Sequence, residues 1–125
     1  MHAGRSVEAR EPLNIALRLD PLGPIAAAVL LKLATCGYVE RDYLSAEATA
    51  HRAIRVWPEF PRPYLVRAAA LGQLGRTDEA RAALDAAIAA SPTHFVYRTV
   101  SRPPYIHPEI HEHLLDGLRK AGWRG

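Results

Sequence analysis

The sequence has a single cysteine, Cys36, so no intramolecular disulfide framework can hold the fold together. It has no run of five or six like charges, which would mark a charged tail or a track of phosphate contacts. Its strongest apolar run, 25–36, contains Lys32 and is short of the about 20 apolar residues that cross a bilayer. The first twelve residues are charged where an export signal is apolar. We therefore expect a cytoplasmic protein with no membrane span.

Catalytic and metal-binding patterns are also scarce. The chain has no G-x-S-x-G sequence and no glycine-rich loop of the kind that cradles phosphates. His107, His111 and His113 lie close together, but His107 falls at a helix cap, and His113 points to a different side of the helix from His111. Solvated polar positions are the favoured interpretation of these histidines. We therefore predict no enzyme activity, no catalytic residue, no metal and no cofactor.

Two stretches of the chain, 42–58 and 76–92, match at a fixed distance. The members of four pairs are each 34 residues apart: Ala46 and Ala80, Ala53 and Ala87, Ile54 and Ile88, and Pro58 and Pro92. A period of this length in an alanine-rich helical pattern is typical of the tetratricopeptide repeat, in which two helices are joined by a turn. The spacing therefore predicts helix pairs that stack on one another.

The predicted fold is all-α, a short tetratricopeptide-like right-handed α-α superhelix. Its parts are a disordered or loosely packed N-terminus (1–12), a half repeat (13–23), two repeats (24–58 and 61–92), a linker (93–107) in which two prolines would break a third repeat, and a capping helix (108–121). Asp42 and Thr77 are predicted N-caps, and Gly75 is a predicted left-handed C-cap residue.

Helical spacing also predicts which side chains pack inward. Ala68 and Ala80 are small enough for two helices to approach closely, so we expect them to face each other. Ile88 and Ile110 fall on apolar stripes and are expected inside, whereas Glu47 is expected on an outer face.

Tyr64 and Ala68 stand where the tetratricopeptide family prefers tryptophan and glycine, and Gly75, Ala80, Ala87 and Pro92 match the residues that the family prefers. Arg67 departs from that pattern, because the family has a leucine there. The segments LGQLGRTDEARAAL and LLDGLRKAGW, with the Pro-Pro loop between them, give the chain a closer resemblance to the C-terminal repeat region of bacterial class III adenylate/guanylate cyclases and related winged-helix regulators. This resemblance implies a stand-alone or remnant interaction region of a signalling regulator. Cyclase activity is not implied, because the chain has no room for the catalytic domain.

In such stacks the first helix of each pair lines the concave surface, where a partner binds. The predicted partner-binding residues are Leu31, Lys32, Thr35, Tyr38, Arg62, Leu65, Ala69 and Gln73. Apolar anchors beside two cations suit a protein or peptide that bears a carboxylate. The C-terminal helix could instead fill this groove. A helical-repeat RNA-binding protein is a further alternative, although no nucleic acid partner is expected of so short an array. Another is a self-associating module that forms a homodimer.

Overall fold

The computed structural model describes residues 23–104 and 106–125, and within them all regular structure is helical. The six helices are α1 (Pro24–Val39), α2 (Tyr43–Val56), α3 (Arg62–Gln73), α4 (Thr77–Ala90), α5 (Pro92–Thr99) and α6 (Pro108–Lys120). The prediction of an all-α protein is confirmed for this part of the chain. The expectations for residues 1–12 and for the half repeat 13–23 fall outside the described residues, apart from Gly23.

Each helix from α1 to α4 packs on the next, α1 also contacts α3, and α6 returns to pack on α3. Alanines at the contacts allow close approach, because a methyl group keeps two helix axes near each other. Ala46, Ala50 and Ala53 of α2 have no exposed surface, nor do Ala68 on α3 and Ala80 on α4. The core is therefore built from small residues along the helix contacts, with larger leucines in the gaps between them.

The turns between the first four helices depend on the residues that cap the ends of the helices. Asp42 caps α2, as predicted, by accepting a hydrogen bond from the main-chain N–H of Ser45 at 3.4 Å. Gly75 ends α3 with a φ of 73°, the left-handed conformation that glycine adopts without strain. The prediction for Thr77 is wrong. Arg76 occupies the N-cap position, and the Thr77 hydroxyl donates to the Gly75 carbonyl at 3.4 Å.

The segment predicted to be a linker, 93–107, contains most of α5. Ser91 caps this helix by accepting a hydrogen bond from the main-chain N–H of His94 at 3.2 Å. Phe95 and Thr99 are its buried residues. The prolines at 103 and 104 stop a third repeat from forming, but they lie far enough downstream to leave eight residues for a short helix.

Helix α6 lies within the range predicted for the capping helix, and it ends just before Ala121 and Gly122, which has a φ of 114°. Its leucines Leu114, Leu115 and Leu118 are buried. The expected burial of two isoleucines is wrong: Ile110 retains 45% of its exposure and Ile88 retains 37%. Each lies at the margin of an apolar stripe, so the neighbouring helix covers only one side of it.

Glu47 is another correction, because its side chain is only 15% exposed and does not lie on an outer face. Its carboxylate accepts a hydrogen bond from the Arg67 side chain at 3.1 Å, between α2 and α3. Arg67 is itself half-buried, with 23% of its side chain exposed. A charged pair therefore bridges α2 and α3 where both side chains are largely removed from solvent.

Backbones approach most closely where α3 crosses α6. A Cβ atom added to Gly72 would overlap the Gly117 carbonyl oxygen, and one added to Gly117 would overlap the Ala69 carbonyl and the Tyr38 hydroxyl. Glycine is therefore required on both helices at this crossing. The crossing fixes α6 against α3 and decides how much of the surface of α3 stays open.

Candidate functional site

A groove lies beside α1 and α3, and we call it the α1–α3 groove. It consists of a smaller cavity of about 120 Å³ and a wider one of about 410 Å³, which share Leu31, Thr35, Val39 and Arg62. The smaller cavity is also lined by Tyr38, Leu65, Val66, Arg98, Ile106, Ile110, His111 and Leu114. The wider one is also lined by Ala28, Lys32, Cys36 and Phe60.

Six of the eight predicted partner-binding residues line this groove: Leu31, Lys32, Thr35, Tyr38, Arg62 and Leu65. Their arrangement follows from the helical spacing of α1, where positions 28, 31, 32, 35 and 39 share one side. Sequence reasoning missed the contribution of α5, because the segment was predicted to be a linker.

Ala69 and Gln73, the other two predicted residues, lie against α6 instead. Ala69 has no exposed surface. The Gln73 amide nitrogen donates to the Asp116 carboxylate at 3.1 Å, and its oxygen accepts from the Lys120 ammonium at 3.0 Å. The C-terminal helix therefore occupies the half of the predicted surface nearest the end of α3, and both cavities lie along the half nearest α1.

The groove has an apolar floor and a cationic rim. Leu31 and Leu65 are buried at the base, with 7% and 2% exposure. The Thr35 hydroxyl donates to the Leu31 carbonyl of its own helix at 2.8 Å, which leaves its oxygen lone pairs facing outward as acceptors only. Lys32 and Arg62 are exposed at the rim. Such a surface favours a ligand that combines apolar and anionic groups.

No aspartate or glutamate is among the described residues that line either cavity. Within the described chain, Lys32 and Arg62 make no ion pair with a carboxylate. At the other end of the groove the His111 ring nitrogen Nε2 lies 3.0 Å from the Arg98 carbonyl oxygen. Lys32 and Arg62 are therefore two cations of the groove that no carboxylate of the described residues pairs with.

A second cluster of polar and aromatic side chains holds α6 against α1 and α2. The Tyr38 ring stacks on the His113 ring with centroids 4.2 Å apart, and the Tyr43 hydroxyl lies 2.8 Å from His113 Nε2. Burial lowers the pKa of His113, with the charges of Arg41 and Lys120 acting in the same direction. Burial likewise raises the pKa of the Tyr38 hydroxyl. Both groups are therefore neutral at pH 7, and the cluster packs like part of the core.

The interpretation of His113 as a solvated polar residue is wrong, because its ring is half-buried against Tyr38 and Tyr43, and no pattern in the sequence indicated this contact. The other two histidines have different neighbours: His107 lies 3.3 Å from the Glu109 carboxylate, and His111 faces α5. The described residues contain no group of three or more His, Cys, Asp or Glu side chains placed to hold a metal ion. Cys36 is a free thiol, half-buried at the wall of the wider cavity.

Comparisons with protein-family models, with curated proteins and with solved structures gave no match to this chain. Among the helices of the described residues, none combines the length and the apolar character that a bilayer span requires.

Proposed function

We propose that the protein is a tetratricopeptide-like interaction module that binds a protein or peptide partner in the α1–α3 groove and has no enzyme activity. The 34-residue spacing supports the repeat, because the matched alanines 46, 53, 80 and 87 are all buried at helix contacts. The resemblance to the repeat regions of cyclases and winged-helix regulators supports a role in signalling. In such stacks the exposed side of the first helix of each pair is the surface that partners contact.

The observation that carries this proposal is the open, apolar side of α1. Ile25 and Val39 on this helix are exposed at 65% and 43%, and Leu31 forms the floor between them. The groove runs along α1 from Ala28 to Val39, a distance of about 16 Å at 1.5 Å per residue. That length accommodates about three turns of an amphipathic helix or about five residues of an extended peptide.

The test is to fill the groove without disturbing the core. A random peptide library is selected on the immobilised protein, and the selected peptides are then measured on two variants. Ala28→Trp places a large ring in the wider cavity, whereas Ala82→Trp makes the same change at an exposed position of α4. We expect Ala28→Trp to weaken the selected peptides at least about tenfold, and Ala82→Trp to leave them unchanged. Equal binding to both variants would place the partner surface elsewhere, and selection of no peptide would argue against an interaction module.

Self-association is a second candidate, favoured by the exposed apolar residues at the N-terminal end of the described chain. Ile25 is 65% exposed and Leu44 is 57% exposed. Large apolar patches at a surface are commonly covered by another protein or a second copy. Sedimentation velocity over a range of concentrations tests this candidate: a homodimer that Ile25→Glu dissociates would support it, and a monomer at high micromolar concentration would contradict it.

A further inference from the structure

The wider cavity of the α1–α3 groove, about 410 Å³ in volume, is large enough to hold a small molecule. Sites for small ligands have volumes of about 300–1,000 Å³ and are mostly apolar, with a few polar groups that orient the ligand. Leu31, Val39 and Phe60 are apolar residues of the lining. Lys32 and Arg62 are its charged residues. The cavity therefore has both the size and the composition of a small-molecule site.

Phe60 gives this cavity a fixed aromatic wall. Its ring stacks on the Trp57 ring, with centroids 4.9 Å apart and planes inclined by 24°. Its main-chain N–H donates to the Trp57 carbonyl at 3.1 Å. The turn between α2 and α3 therefore sets the position of the ring before any ligand binds. A wall formed in advance lowers the entropy cost of binding.

The strong hydrogen-bond donors that the cavity offers are both cations. Along the cavity the main-chain groups of α1 are bonded within the helix, and the Thr35 hydroxyl donates its proton to the Leu31 carbonyl at 2.8 Å. Cys36 adds only a weak donor. The Lys32 ammonium and the Arg62 guanidinium remain, and neither pairs with a carboxylate of the described residues. A ligand of matching chemistry has an apolar body and one anionic end.

We propose that the wider cavity binds a small amphipathic carboxylate. The hydrocarbon part of this ligand packs against Leu31 and Phe60. Its carboxylate pairs with Lys32 and Arg62, which are exposed, so the anionic end stays in contact with water. The inference goes beyond the proposed function, since it gives the groove a small-molecule ligand. A hydrocarbon chain suits the floor better than an extended peptide, whose N–H and C=O groups would find no partners there.

The experiment uses decanoate, below the concentration at which it forms micelles, and follows the alkylation of Cys36 by iodoacetamide. Cys36 is the single cysteine of the sequence and lies in the wall of the cavity, so its alkylation reports on this site alone. We expect saturating decanoate to slow the alkylation at least about fivefold, because a bound ligand restricts access to the thiol. The alkylation of free glutathione is the control and should not change. Alkylation of Cys36 that decanoate leaves unchanged or accelerates overturns the inference.

Two further compounds separate the contributions of the charge and of the chain. Decanamide has the same chain without the charge, and we expect it to bind about fivefold more weakly because it cannot pair with the two cations. Octanoate is two methylene groups shorter, and we expect it also to bind about fivefold more weakly because less apolar surface leaves water. The concentration that gives half of the maximal protection of Cys36 measures each affinity. If decanamide protected as well as decanoate, the cations would not recognise the carboxylate and the inference would be wrong.

Variants of the two cations test the position of the carboxylate. Lys32→Gln and Arg62→Gln should each weaken decanoate about threefold and leave decanamide unchanged. Arg52→Gln is the matched control, since it removes one positive charge from an exposed position of α2 that lines neither cavity. It should leave decanoate binding unchanged, and circular dichroism checks that each variant is folded. An equal loss in Arg52→Gln would mean that net charge alone attracts the anion, which contradicts the proposed site.

This inference and the proposed function fail separately. If decanoate does not protect Cys36 but the selected peptides bind, the small-molecule site is wrong and the interaction module stands. If decanoate protects Cys36 and no peptide is selected, the small-molecule site stands and the interaction module is contradicted.

Discussion

The Tyr38 hydroxyl of α1 donates a hydrogen bond to the main-chain carbonyl of His113 on α6 at 2.5 Å, across 75 residues of sequence. The same hydroxyl accepts a hydrogen bond from the Gln73 amide nitrogen at 3.2 Å. Three helices, α1, α3 and α6, therefore meet at one phenol group. Because Tyr38 also lines the smaller cavity of the groove, the contact that holds α6 in place forms part of the wall of the proposed partner site.

Removing this hydroxyl tests how much the junction contributes to stability. Tyr38→Phe keeps the ring and its packing, but it leaves the Gln73 amide with one fewer acceptor. Tyr38 is only 5% exposed. We expect the free energy of unfolding, measured by chemical denaturation, to fall by about 1 kcal/mol.

The matched control is Tyr64→Phe, whose hydroxyl donates to the Pro58 carbonyl at 2.8 Å in an exposed setting. Water can replace that partner, so we expect a loss of only a few tenths of a kcal/mol. Equal losses of unfolding free energy in the two variants would show that the position of the Tyr38 hydroxyl between three helices adds no stability.

The α3–α6 crossing gives a second prediction, about the two glycines at its centre. Gly117→Ala forces the new methyl group into the Ala69 carbonyl, and Gly72→Ala forces it into the Gly117 carbonyl. Backbone atoms cannot move aside as the end of a long side chain can. We therefore expect each variant to lose about 2–3 kcal/mol of unfolding free energy, with a change in the fluorescence of Trp123, which follows α6.

Gly75→Ala is the contrasting variant, because a methyl group there meets open space and the cost comes only from the φ of 73°. We expect a loss of about 1 kcal/mol with the α3–α6 contact preserved. If the two crossing variants were no less stable than Gly75→Ala, the close approach of α3 and α6 would be contradicted.

The ion pair between Glu47 and Arg67 gives a third prediction. Glu47→Ala leaves the Arg67 guanidinium, only 23% exposed, without its carboxylate, and we expect a loss of about 1–2 kcal/mol. Changing both residues to leucine should recover most of that loss, because two apolar side chains need no partner.

The control for this pair is Glu112→Ala, which breaks the exposed pair with Arg119 at 2.8 Å on the surface of α6. Exposed ion pairs contribute little, so its effect should stay within about 0.5 kcal/mol. If the double-leucine variant were less stable than Glu47→Ala alone, the ion pair itself would stabilise the contact between α2 and α3, and two apolar side chains could not replace it.

The spacing of small residues and prolines was enough to predict α2, α3, α4 and α6. Residues such as Ala46 and Gly75 have a local reason for their identity, because close helix contact and a left-handed turn each demand a small side chain. Local reasons of this kind are visible in a single sequence.

Contacts over long sequence separations could not be predicted in the same way. Glu47 has the polarity of a surface residue, and only the position of Arg67, 20 residues later, turns it inward. His113 likewise depends on two tyrosines that lie 70 or more residues away. The groove shows what a single sequence can and cannot predict. Its residues on α1 and α3 were predicted, but the place where α6 stops covering α3 depends on the crossing at Gly72 and Gly117.

The histidine between the two tyrosines gives the last prediction, a loss of stability in mild acid. His113 has a pKa below 6.5 in the folded protein because of burial, and a value near 6.5 when the chain is unfolded. Between these two values the unfolded chain binds more protons than the folded one. The stabilisation is therefore complete above pH 6.5 and is lost progressively as the pH falls below it. Denaturation midpoints from pH 7.5 to 5 should show this decline.

His113→Gln removes the titrating group, so the decline should become shallower in that variant even though its stability at pH 7.5 is lower. His94 has a lowered pKa for the same reason and contributes a decline of the same sign, so part of the slope should remain. A slope identical in the native protein and in His113→Gln would mean that the Tyr38–His113–Tyr43 contact tolerates a charged imidazole.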